Sequence, residues 1–174
     1  MRLKNTAVVF ASAAGRERFR VRSVEISRDL AKQSAVTLRF RRSAGAVSIK
    51  LSFPDSIRLL LSSYRYTTKP GLVTDWERQH PGVPLPRSLT LLLPLEHAAV
   101  AFTSAERHEE IPVYEAEFTR SLTRHTDRLA FLSRGKALLT IHLPFAQSVR
   151  LLFDAYHQVI DRALWEKPRG KRVA

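Results

Sequence analysis

Six cations in this sequence combine a residue type and a spacing that point to one chemistry. Arg18, Arg20 and Arg22 alternate with Phe19 and Val21, Arg39 and Arg41 flank Phe40, and Lys50 stands between Ile49 and Leu51. Alternation with period two is the pattern of a strand with one wet and one buried face. Neighbouring strands would set the six on one outer face, about 4.8 Å apart across strands and about 6.7 Å apart along them. That grid is comparable to successive phosphates of a single nucleic-acid strand. Guanidinium forks onto phosphate and also stacks on bases. The expected ligand is a single strand held by its backbone, with weak sequence preference and steep salt dependence.

Total charge agrees with that reading. The chain of 174 residues carries +13, with a pI near 11. Residues 1–66 hold 14 Lys and Arg against 4 Asp and Glu, so most of the excess lies there. Such charge opposes compaction and calls for an anionic partner. Arg134 and Lys136, beside Gly135, add two cations in the second half.

Other chemistries find little support. His108-Glu109-Glu110 lacks the second histidine of a metalloprotease helix, and six glycines form no phosphate-cradling loop. His142 and His157 are isolated, one on an expected strand and one on an expected helix. Without cysteine there is no disulfide and little basis for a structural zinc site. Glu115 and Glu117 lie two apart on a strand and suit a basic partner surface better than acid–base catalysis. Trp76 and Trp165 read as packing or interface anchors. The expectation is no enzyme, no cofactor and no metal. No run of 18 apolar residues occurs, so no membrane-spanning helix is expected.

The elements that position the cations occur twice. Residues 47–64 read as a buried strand running into an amphipathic helix, and residues 139–156 repeat them 92 positions later. Between 7–66 and 99–158, 19 of 60 aligned positions are identical, against about one in fifteen to twenty by chance. The first unit, 6–66, reads as four strands and a helix: 6–12, 17–27 with a bulge near Ser23-Val24, 35–42, 47–53, then a helix opened by Pro54. Residues 67–97 read as an irregular connector with Pro70, Gly71, Pro81, Gly82, Pro84 and Pro86; Ser88–Leu95 could add a strand or cover the core. The second unit, 98–166, repeats the order with strands at 98–104, 110–120, 127–133 and 137–143 and a helix over 145–166. Residues 167–174 form a basic tail. Two units of this size are small for independent stability, so one intertwined domain over 1–174 is expected. Tyr114 and Phe118, on the second unit's counterpart of the Arg18–Arg22 strand, are candidate base-stacking platforms, with packing as the competing reading.

A duplicated β-β-β-β-α unit on so basic a chain resembles the Whirly/PUR superfamily of single-stranded nucleic-acid-binding proteins. Within it the resemblance is nearest to the kinetoplastid mitochondrial RNA-binding proteins that act as guide-RNA annealing factors. Arg134-Gly-Lys-Ala-Leu-Leu139 is also similar to the lysine-glycine-lysine-alanine-alanine-leucine signature of plant Whirly proteins. The resemblance implies an α+β fold of two antiparallel sheets with helices packed between or behind them. It implies a tetramer, homo- or hetero-oligomeric with a related protein, built through helical contacts such as Leu60, Tyr64, Phe153 and Tyr156. It further implies a mitochondrial-matrix protein that holds RNA by its phosphates, bases unstacked, in RNA annealing, processing or editing. PUR proteins insert aromatics between bases, whereas the outer face of the first unit carries none. Two alternatives stay open: a structural subunit of a large mitochondrial ribonucleoprotein such as the ribosome, and a single-stranded DNA-binding transcription or maintenance factor.

Overall fold

The computed structural model describes residues 1–29, 35–68 and 71–161. The basic tail and the far end of the second expected helix lie outside them. Eight strands follow in chain order: β1 (Arg2–Ser12), β2 (Gly15–Asp29), β3 (Ala35–Arg42), β4 (Gly45–Leu51), β5 (Ser88–Thr103), β6 (His108–Ser121), β7 (Thr126–Ser133) and β8 (Lys136–Pro144). Helix α1 (Phe53–Thr68) follows β4, α2 (Leu72–Gln79) lies in the connector, and α3 (Phe145–Tyr156) follows β8 and runs into a π-helical turn, His157–Asp161.

Every strand pairs antiparallel with the next, and β1 pairs with β8, so the sheet closes into a barrel. This corrects the expectation of two sheets in an α+β arrangement. The reason lies at the edges. Each four-stranded unit leaves two edge strands with unpaired backbone groups. Here β4 satisfies its edge on β5 of the other unit, through Val47↔Phe102 and Ile49↔Val100. The counterpart seam, Leu139↔Phe10 and Ile141↔Val8, closes the ring. Eight strands leave an interior that side chains can fill. Val8, Phe40, Ile49, Val100, Phe118, Phe131, Leu139 and Ile141 fill it, each 1% exposed or less.

The duplication is visible in detail. The register of β1 shifts between Arg2 and Thr6, and that of β5 between Pro94 and Ala98, 92 residues on. In β2 both Val21 and Val24 are buried, and in β6 both Val113 and Ala116, so each strand flips its phase at the same place. The ungapped offset fails in one stretch. Leu38 pairs with Ile49 as Leu129 pairs with Ile141, so the third strands correspond at 91; a register shift near Leu132 restores 92.

Strands β4 and β8 run away from the hairpin turns and deliver α1 and α3 to the opposite end of the barrel. Ser52 caps α1, its hydroxyl accepting from the Asp55 amide at 3.2 Å. Pro144 takes that place before α3 and offers no side-chain cap. Leu59, Leu60, Leu151 and Leu152 join the barrel's own core. The Arg28 guanidinium lies over the Phe53 ring at 4.3 Å, and Arg120 lies over Phe145 at 4.2 Å, the same contact in both units. At the hairpin end, Gly45 (φ +136°) turns between β3 and β4, where a Cβ would meet the Thr103 carbonyl at 2.1 Å.

The connector departs from the irregular reading. It holds α2, and Ser88–Leu95 is the first half of a 16-residue strand that runs on through Thr103.

Candidate nucleic-acid interface

The six cations expected on one face are divided between two walls of the barrel. Strand β2 meets β3 only from Val24 onward, where Val24 lies opposite Phe40. Its earlier half, carrying Arg18 and Arg20, lies along β1 instead. The register therefore sends those arginines around the barrel toward β1, β8 and β7, while Arg39, Arg41 and Lys50 face the β3–β4–β5 side.

The first wall can be followed strand by strand. Arg18 lies opposite Val9, Val9 opposite Thr140, Thr140 opposite Ala130, and Ala130 opposite Glu117. In the adjoining row Arg20 faces Ala7, then His142, Arg128 and Thr119. Alternate residues on these strands, among them Val8, Ile141 and Leu129, point into the core. Ala7, Val9, Thr140 and Ala130 thus form a floor of small side chains on the outer face, set low among longer neighbours so that Val9, Thr140 and Ala130 are only 6%, 8% and 2% exposed, with arginines on β2 at one side and Arg128 at the other. Arg16 continues the β2 ridge toward the hairpin end, opposite Ala11. Arg22 is exposed at the phase flip. Arg16, Arg18, Arg20 and Arg22 form no ion pair with another described residue. Arg128 is held by Glu117. Arg134, at a left-handed φ of 48°, and Lys136 are exposed in the β7–β8 turn, at the hairpin end of the same wall.

His142 sits half-buried in the middle of this floor. Burial holds its imidazole below the usual pKa, and the guanidiniums of Arg18, Arg128 and Arg16 lower it further.

The second wall is the counterpart of the first and differs in charge. Its rows read Glu110, Ala101, Ser48, Arg39, Glu25 and Pro112, Ala99, Lys50, Thr37, Ser27. Glu110 and Pro112 occupy the places of Arg18 and Arg20, and Lys50 that of His142. Lys50 is paired with Glu110 at 2.6 Å and Arg41 with Glu25 at 2.9 Å. Acid is thus interleaved with the cations on this side: Arg39 lies opposite Glu25, and two of the three cations are neutralised.

Tyr114, 50% exposed, takes the place of Arg22 in the second unit. Phe118 is 1% exposed inside the barrel, edge-on to Tyr66 at 5.9 Å, and has no face to offer a base. The phase flip between Val113 and Ala116 turns Phe118 inward. Of the four residues expected at an oligomer contact, Leu60 is 5% exposed in the core and only Phe153, at 47%, is well exposed. Tyr64 and Tyr156 stack on each other within the chain, centroids 5.8 Å apart.

Sequence reasoning passed over Arg128 and His142 and left Arg16 off the binding face. A signal existed for His142, because it aligns with Lys50 at the repeat offset. Comparison with protein-family models, curated proteins and solved structures finds no match to this chain.

Proposed function

We propose that this protein is a non-catalytic, single-stranded RNA-binding protein that grips the phosphate backbone along the first wall and promotes annealing. The observation that carries the reading is the row of four arginines on β2, none in an ion pair with a described residue, beside a floor of small side chains with Arg128 beyond it. The two ridges stand three strand spacings apart, about 14 Å, a span that one sugar–phosphate strand lying over the low floor can bridge. Unpaired cations bring counterion release on binding, the main source of sequence-independent affinity.

The outward positions on those rows carry no Phe, Tyr or Trp. Without a stacking platform the bases are not held on the protein, and they remain available to a complementary strand. Neutralised phosphates lower the repulsion between the two strands, which is the physical requirement of annealing.

The test is fluorescence anisotropy with a labelled single-stranded RNA across a salt series, with a DNA strand of the same sequence alongside. Four phosphate contacts give a log–log salt slope of about −3. Reversal of Arg18 and Arg20 to Glu should lower affinity at least tenfold and flatten the slope, and the protein should speed pairing of complementary RNAs. Unchanged binding by that variant, checked for fold by circular dichroism, would overturn the reading.

A further inference from the structure

His142 is the one titratable group on the floor of the first wall, and arginine–phosphate contacts alone leave it without a role. It lies opposite Ala7 on β1 and Arg128 on β7, with Arg20 beyond Ala7 on β2. The charges acting on it are Arg18, Arg128 and Arg16. On β1 the register sets Ala7 opposite it and Val9 in the adjoining row, with exposed Lys4 farther along the same strand. The carboxylate on these rows, Glu117 of β6, is engaged by Arg128. At the matching place on the second wall stands Lys50, a permanent cation already paired with Glu110.

We infer that His142 is a further phosphate-contacting residue of the first wall, recruited by protonation as nucleic acid arrives, so that binding takes up one proton. This rests on the phosphate-gripping reading of that wall. Burial is the larger cause of the neutral imidazole, and phosphates that settle on Arg16, Arg18 and Arg128 cancel the repulsion that adds to it. A phosphate oxygen within reach then stabilises the imidazolium directly by a charge-assisted hydrogen bond. The proton comes from solvent and goes to the unprotonated ring nitrogen, and no covalent bond changes.

Linkage sets the sign. Above the bound-state pKa the ring is neutral whether or not RNA is present, and below the free-state pKa it is charged in both. Between the two, affinity rises as pH falls, by up to about tenfold per pH unit for a single proton. A histidine here makes one contact of the grip conditional on pH, where a lysine would make it permanent.

The probe is a rhodamine-labelled oligouridylate, whose bases do not titrate in the range used. Its affinity is measured between about pH 7.5 and about pH 6 at fixed salt. The wild-type protein should bind five- to tenfold more tightly at the lower pH. H142Q should be flat over the range, and H142K should be flat and tighter than wild type at the higher pH. Calorimetry in two buffers of different ionisation heat should report proton uptake by wild type and none by H142Q. If wild type binds and R18E/R20E does not, yet H142Q keeps the full pH dependence, the role of His142 is overturned while the wall stands. If R18E/R20E binds as wild type does, the wall reading itself has failed.

Discussion

Phe10 and Phe102, 92 residues apart, stack with centroids 5.2 Å apart and rings 4° from parallel at the hairpin end of the barrel. Each is the other's counterpart under the repeat, as are Tyr64 and Tyr156 between the helices at the other end. The two stacks mark the ends of a pseudo-twofold axis running through the barrel core. Around that axis, however, the residues differ. Arg42, paired with Glu17, and Arg107, paired with Glu109, both lie over Phe102, at 4.8 and 5.7 Å.

Truncation at this stack should therefore be costly and unequal. Phe102→Ala is expected to destabilise by about 3–5 kcal/mol, and Phe10→Ala by somewhat less because the arginines keep their ring. Urea denaturation of both variants checks the order. Equal losses would mean that the arginine contacts add nothing.

The helix starts offer a second comparison. Asp55, 1% exposed, accepts from the amides of Glu96 (3.1 Å) and His97 (2.7 Å) at the β5 register shift. Gln147, its counterpart, accepts from the Lys4 amide at 3.2 Å, at the register shift of β1. Asp55→Ala leaves two amides without their charged acceptor and should cost about 2–4 kcal/mol. Gln147→Ala, at a more exposed bond, should cost under about 1 kcal/mol. Thermal unfolding of the pair reads the difference.

The two walls can be made alike. Glu110→Arg puts a guanidinium where the first wall has Arg18 and releases Lys50 from its ion pair. RNA affinity should rise several-fold, and the salt slope should steepen by about 1.4, one step of about 0.7 for each freed or added cation. A salt titration of the variant against wild type checks both.

His142 also makes the free protein's stability depend on pH. Its pKa is lowered in the folded state, so the unfolded chain, with an ordinary value of about 6.5, binds more protons through the window between the two. Stability should fall as pH drops below about 6.5 and level off once the folded-state ring is itself protonated. H142Q should lack this component, seen as a difference between the two urea-midpoint curves over that window.

Strand pattern and duplication were legible because both are local or self-referential. Period-two alternation located the strands, and the shared Phe, Ser, Arg and Leu at 53–60 and 145–152 located the helix starts. Closure was not legible. Whether Ile49 pairs with Val100 or stays on an edge depends on residues fifty positions away, and nothing in either strand records it. The candidate wall failed in the same way. Arg18 and Arg39 each lie on an outer face, but which strands they look across depends on the Val24↔Phe40 register. The same flip was anticipated near Ser23-Val24 and missed at Val113–Ala116, where apolar residues on both sides conceal it, and there Phe118 was misplaced. Helix α2 was hidden by the prolines and glycines on either side of it.

The joining of β4 to β5 and of β8 to β1 by matching contacts carries a consequence for how such a barrel can change over time. Two half-length chains could close the same ring as a homodimer, but symmetry would then force any substitution to appear on both walls at once. A cluster of arginines on one side would be copied on the other, doubling the self-repulsion. In a single chain the constraint is lifted. Position 18 can become arginine while position 110 remains glutamate, and the molecule can specialise one wall and keep the other nearly neutral.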